Sequence, residues 1–95
     1  MNQTPVFKFR LYVAGDTQNS IQALANLRKI CQTYLADSHE IELLDVFKEP
    51  SLTLEQGIYM TPRLVKLSPS PVIKIVGTLS QTDIILQTLG LDSPI

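Results

Sequence analysis

The sequence predicts an α/β fold of order β-α-β-α-β-β-α, on three observations. First, a strand pattern, a long amphipathic helix and a second strand pattern follow one another before Phe47. That is the spacing of a parallel βαβ unit with a right-handed crossover. Second, a Thr61-Pro62 step leads into two short apolar runs, 64–67 and 72–76, separated by a Pro-punctuated turn from Ser68 to Pro71; this reads as a hairpin. Third, an apolar face of Ile84, Ile85, Leu86 and Leu89 ends at Gly90, the residue type that stops a helix in a left-handed conformation.

In chain order, Phe7, Phe9, Leu11 and Val13 share one strand face, while Val6, Lys8, Arg10 and Tyr12 share the other. The run is apolar on both faces by Tyr12 and Val13, as in a strand entering a sheet covered on both sides. A loop from Ala14 to Ser20 follows, with Gly15 for an unusual backbone angle. Asn19 or Ser20 is the expected N-cap, and Asn19 with Gln22 has capping-box spacing. Over 20–35 the stripe Leu24, Leu27, Cys31 and Tyr34, widened by Ala23, Ile30 and Leu35, predicts a helix. The segment 40–47 alternates and predicts the second strand, stopped by Pro50. Thr53-Leu-Glu-Gln56 has the T-x-x-Q capping pattern, which predicts a short helix over 54–58, weakened by about 1 kcal/mol at Gly57. Pro62 cannot donate to a ladder, so it belongs at the first residue of a strand, and a cis Thr61–Pro62 bond would turn that corner sharply towards the 14–20 loop. Ser80 to Asp83 gives a second capping-box start. A βαβ unit, a helix, Thr-Pro and a hairpin together form the layout of a thioredoxin-like domain.

Composition narrows the function. The 95 residues make one domain, 1–95, with eight Lys and Arg against nine Asp and Glu. No basic run is long enough to follow a phosphate backbone, which argues against nucleic acid. No stretch approaches ~18 apolar residues, and the first five are polar, so no membrane span or signal peptide is expected and a cytoplasmic location is the default. One cysteine and one histidine make an internal disulfide impossible and a zinc site within one chain very unfavourable. Asp37, Glu40, Glu42, Asp45 and Glu49 make one side acidic, while Arg63, Lys66 and Lys74 make the hairpin basic. Such a dipolar surface can orient a protein partner.

In thioredoxin-like enzymes the reactive cysteines sit where the first strand meets the first helix. Here Asp16, Thr17, Asn19 and Ser20 stand there, so disulfide exchange has no nucleophile at that place. Cys31 falls within the apolar helix stripe, as a packed, inert thiol. Gly15 alone is no phosphate-binding signature, His39 lies on a turn, and Asp45 is one acid without a partner acid or base. The sequence thus offers no catalytic residues, cofactor site or metal site. By elimination the domain binds something, and a protein is the first choice.

Across Leu11-Tyr-Val-Ala-Gly15, Asn19-Ser20, Ala23-Leu24, Asp45-Val46, Thr61-Pro62, Leu64, Lys66, Pro69, Pro71, Gly77 and Leu79-Ser80, the chain resembles the KaiB family of circadian-clock proteins. The resemblance runs from Phe7 to Leu91. It implies a non-enzymatic protein that binds the ring-shaped, RecA-like ATPase KaiC, with a clock role or a clock-derived role in stress or signalling. A related domain serves as the sensor of the partner histidine kinase, which links the resemblance to a kinase pathway. It further implies two folds sharing the βαβ half: a thioredoxin-like monomer, and a self-associating form, tetramer or dimer, in which the C-terminal half is rearranged. On this resemblance Thr61, Pro62 and Lys66 meet the partner, and Pro69, Pro71 and Gly77 belong to the turns of the switching half. The chain departs from clock members at Asp16, Gln18 and Thr78, and has Gln22, Ala25 and Ile73 where they carry basic side chains. Two alternatives stand beside this reading: a thioredoxin-like redox protein using Cys31 alone, and a stand-alone relative of the kinase sensor domain.

Overall fold

The computed structural model describes residues 6–91. Its elements are β1 (Phe7–Val13), α1 (Gln18–Tyr34), β2 (His39–Asp45), α2 (Ser51–Leu54), β3 (Arg63–Ser68), β4 (Ile73–Val76) and α3 (Thr82–Leu89). The sheet order is β2-β1-β3-β4. β1 pairs with β2 in parallel, Phe7 opposite His39 through Val13 opposite Asp45. It pairs with β3 antiparallel, and β3 pairs antiparallel with β4. This is the thioredoxin-like α/β arrangement the sequence predicts.

The alternation along β1 sets the two layers. Phe9, Leu11 and Val13 join Leu64 of β3 against Ala23, Leu27, Ile30 and Cys31 of α1 and Ile85, Leu86 and Leu89 of α3. On the opposite face Tyr12 and Val65 pack with Leu52 and Ile58, beside Leu44 and Val46. Both helices longer than two turns therefore lie on one side, and only the single turn of α2 covers the other. Asn26 of α1 donates from Nδ2 to the Thr78 carbonyl (2.8 Å), tying the helix to the segment that enters α3.

Several boundaries differ from expectation. α1 begins at Gln18, with Thr17 at the N-cap and no side-chain cap bond. Ser20 is buried and its Oγ is already engaged, accepting the Ala14 N–H (3.1 Å) and the Thr17 hydroxyl (2.8 Å). Tyr34, the last residue of α1, is exposed rather than part of the buried stripe, while Leu35 after it joins the core. β2 stops at Asp45, where the Lys48 and Glu49 amides both donate to its carbonyl. α2 runs over 51–54 rather than 54–58, following Pro50, whose missing N–H costs nothing at a helix start. The Thr53 hydroxyl donates to the Ile58 carbonyl (3.2 Å), closing the turn after the helix instead of capping its beginning. α3 begins at Thr82, since the Ser80 Oγ is held by the Thr78 hydroxyl (2.6 Å). Gly90 does end α3, at φ 74°, and the Leu91 amide reaches back to the Leu86 carbonyl (2.7 Å).

Candidate functional site

β1 and β2 run in parallel and finish at one end of the sheet, and antiparallel β3 starts there. Three connections consequently meet at that end: the loop 14–17, the turn after Asp45 and the approach to β3 through Thr61-Pro62. Asp45 joins the first two. Its Oδ1 accepts the Phe47 amide at 2.9 Å and the Gly15 amide at 3.0 Å. These two donors, Phe47 first, hold the carboxyl below its ordinary pKa. Gly15 has φ +56°, and the Phe47 ring lies so close that a Cβ at Gly15 would come within 3.0 Å of it. Asp45, the acid without a partner acid or base, is thus a clamp between two loops.

The Thr61–Pro62 bond is cis. Pro62 is buried and Thr61 half-buried. The Pro62 carbonyl accepts the Gly77 amide at 2.9 Å, fastening this corner to the end of β4. Since Tyr12 opposes Arg63, continuing that register brings Pro62 beside Val13 and Thr61 beside Ala14. Ser68–Pro69 and Ser70–Pro71 are also cis, and they occupy the β3–β4 turn at the other end of the hairpin. Gly77 has φ +124°, a conformation that disfavours any side chain.

Facing the corner, the place of the thioredoxin cysteines holds Asp16, Thr17, Gln18 and Asn19, all exposed. Cys31 is fully enclosed within the α1 layer, and burial pushes its thiol up to about 11. At neutral pH it remains protonated, the unreactive form. No group of three or more His, Cys, Asp or Glu residues is arranged to hold a metal among the described residues.

The structure separates the residues expected to act together. Lys66 lies on the α1–α3 side of β3, 3% exposed, with its ammonium 5.6 Å from the centroid of the Phe7 ring. It is three positions beyond Arg63 along β3, away from the Thr61-Pro62 corner. The basic hairpin expected from Arg63, Lys66 and Lys74 therefore has only Lys74 fully at the surface, with Arg63 half-buried. Large apolar side chains are exposed near the corner: Phe47, against Gly15, is 69% exposed, and Tyr59 and Met60, just before Thr61, are 74% and 63%, while Leu54 at the end of α2 is 80%. Sequence reasoning passed over these four. The available signal was Tyr59-Met60 standing directly before Thr61, in a segment with no helical or strand period to bury them.

Comparison with known proteins agrees with this geometry. The KaiB domain matches residues 10–91. The circadian clock protein KaiB3 of Synechocystis sp. is 42% identical over 83 residues, 87% of this chain and 79% of the relative. The circadian clock oscillator protein KaiB of Prochlorococcus marinus is 41% identical over 92 residues, 97% of this chain and 77% of the relative. Among solved structures, the N-terminal domain of Synechococcus elongatus SasA superposes with a TM-score of 0.70 at 18% identity, covering 100% of this chain and 93% of that one. Thioredoxin-2 of the malaria parasite gives 0.70 at 16%, covering 95% and 87%. Those two likenesses establish the thioredoxin-like fold, and the domain match with the 41–42% identical relatives establishes that the chain belongs to the KaiB family.

Proposed function

We propose that this protein is a non-enzymatic, single-domain KaiB-type adaptor that binds and regulates a KaiC-type RecA-like ATPase. The observation that carries the reading is the corner at Thr61-Pro62. It keeps the proline and the facing loop of the thioredoxin-like layout, has hydroxyl, amide and carboxyl groups where thiols would be, and has exposed Phe47, Tyr59 and Met60 beside it. Large apolar side chains grouped outside a core favour contact with another protein. Family membership supplies the class of partner. In this arrangement Thr61 and Pro62 take part at the corner, while Lys66 shapes the β3 face from beneath by packing on Phe7.

The same reading includes a second, self-associating form with a rearranged C-terminal half, in which Pro69, Pro71 and Gly77 adopt different turns. Concentration favours that form by mass action, and ATPase binding favours the thioredoxin-like one. The test is retention of a KaiC-type ATPase by the immobilised protein together with its ATP hydrolysis rate. Retention and an altered rate, both reduced by the double variant Tyr59→Ala, Met60→Ala, are expected. No retention at any nucleotide state would refute the reading. A redox enzyme is excluded in the same series if insulin reduction does not exceed that of a Cys31→Ser control.

A further inference from the structure

The sheet face on the α2 side is covered only in part. Two cross-strand rows cross it. One runs Glu42, Arg10, Val65, Lys74 and the next Leu44, Tyr12, Arg63, Val76, each from β2 to β4. Leu52 and Ile58 cover Tyr12 and Val65, and the rest stays open. Lys74 and Lys8 are exposed, Val76 is 50% exposed and Leu67 38%. Lys8, Arg10, Glu40, Glu42 and Leu67 line a shallow concavity of about 400 Å³ beside these rows.

Charge on this face is unbalanced. Lys8, Arg10, Arg63 and Lys74 give four positive charges against Glu40 and Glu42, a net of +2 on a chain whose formal net charge is −1. The one ion pair among the described residues is Arg10 Nε to Glu42 Oε1 at 2.8 Å. Arg63 is different: its Nε is buried and has no hydrogen-bond partner among the described residues. A buried donor without an acceptor is rare in a folded protein. The half-buried Arg63 stands opposite exposed Val76, and its fixed positive charge suits a carboxylate arriving with apolar neighbours.

We propose that this open sheet face, centred on Arg63 and Lys74 with Val76 and Leu67 as its apolar contacts, docks an acidic, amphipathic segment of a partner protein. This deepens the partner-binding reading by naming the chemistry of a second contact, and it does not depend on the partner being a KaiC-type ATPase. The two glutamates on the face disfavour a continuous phosphate backbone, which would meet like charge at Glu40 and Glu42. The carboxylate of the docked segment meets Arg63 and Lys74, and its apolar residues lie along Val76 and Leu67.

The test uses the full chain, isotope-labelled, titrated with two designed helical peptides of equal length, one of Leu and Glu and the other of Leu and Lys. The Leu-Glu peptide is expected to shift backbone amides of Arg63, Val65, Leu67, Lys74 and Val76, while the Leu-Lys peptide leaves them in place. Arg63→Gln should weaken the Leu-Glu peptide by about tenfold, the loss of a charge-assisted hydrogen bond. Lys74→Gln should weaken it less, and unchanged amide spectra elsewhere check that both variants fold. Equal response to the two peptides, shifts confined to Phe47, Tyr59 and Met60, no shift at all, or unchanged affinity in Arg63→Gln would each overturn the proposal. So would a short single-stranded RNA that moves these amides when the Leu-Glu peptide does not. Loss of ATPase retention with a positive peptide result would remove the KaiC-type partner and leave the acidic-segment surface standing.

Discussion

The N-terminal half, β1-α1-β2, and the C-terminal half, α2 to α3, differ in how their elements are held. α1 has 17 residues and buries Ser20, Ala23, Leu27, Ile30 and Cys31. In the C-terminal half α2 has four residues and α3 eight, and β4 has four. Helices so short are not stable alone, since nucleation outweighs the few bonds that follow it. They are stable here because β3 pairs with β1 and because Leu52, Ile85, Leu86 and Leu89 pack against residues of the N-terminal half. The first half agrees with itself at the level of pattern and packing, whereas the second takes its shape from what it docks on. The rearrangement proposed for the C-terminal half would divide at this boundary.

The largest effect that sharpens the contrast is a core truncation in each half. Leu27, with no exposed surface, sits in the larger cluster; Leu52 sits in a cluster of four buried residues covered by one helical turn. Leu27→Ala should destabilise by about 3 kcal/mol, and Leu52→Ala by about 2 kcal/mol because the α2 turn can close on the gap. Denaturant melts of the two variants measure this. Equal losses would break the distinction between the halves.

Next is the pH dependence contributed by Cys31. The enclosed site disfavours the thiolate and pushes the folded-state pKa up to about 11, above the ordinary value of a free thiol. The unfolded chain therefore ionises first. The contribution is fully present below about pH 9 and is lost as pH rises through the folded pKa, by about 3 kcal/mol in all. Cys31→Val should flatten that part of the stability profile, as read from urea midpoints between pH 8 and 11.

The smallest effect tests the clamp that ends the first half. Asp45→Asn keeps the acceptor shape but removes the charge that the Gly15 and Phe47 amides face. Both amides should exchange faster with solvent, while amides within α1 should not change. With a folded-state pKa below its ordinary value, the carboxylate contributes above about pH 4, and the contribution is lost as pH falls through the lowered value. The variant should lack that acid-side loss.

What was legible in the sequence follows the same division. The faces of β1, the buried stripe at Ala23, Leu27, Ile30 and Cys31, the hairpin and the Gly90 stop all follow from spacing between near neighbours. The misread positions are those fixed by residues distant in sequence or by competing local bonds. Ser20 looked like a cap, but its hydroxyl serves Ala14. Thr53 has capping-box spacing, yet its hydroxyl is drawn to Ile58. Asp45 ends β2 by reaching Gly15, thirty residues earlier. Lys66 read as surface charge, and only the pairing of β3 with β1 sets it against Phe7. At the candidate site the Thr61-Pro62 corner was legible from proline chemistry. The exposure of Phe47, Tyr59 and Met60 beside it was not, because exposure of an apolar residue is decided by what fails to cover it.

The central claim, a fixed βαβ half carrying a C-terminal half that answers to its partner, is tested most directly by backbone NMR of the full chain. Spectra are recorded through a dilution series and then with a KaiC-type ATPase added. The account predicts constant signals for 7–45 apart from contacts at the ATPase surface, and two concentration-dependent sets for 51–91. Addition of the ATPase should draw those two sets to the thioredoxin-like one. A single set of signals for 51–91 at every concentration, unchanged by the ATPase, would contradict it.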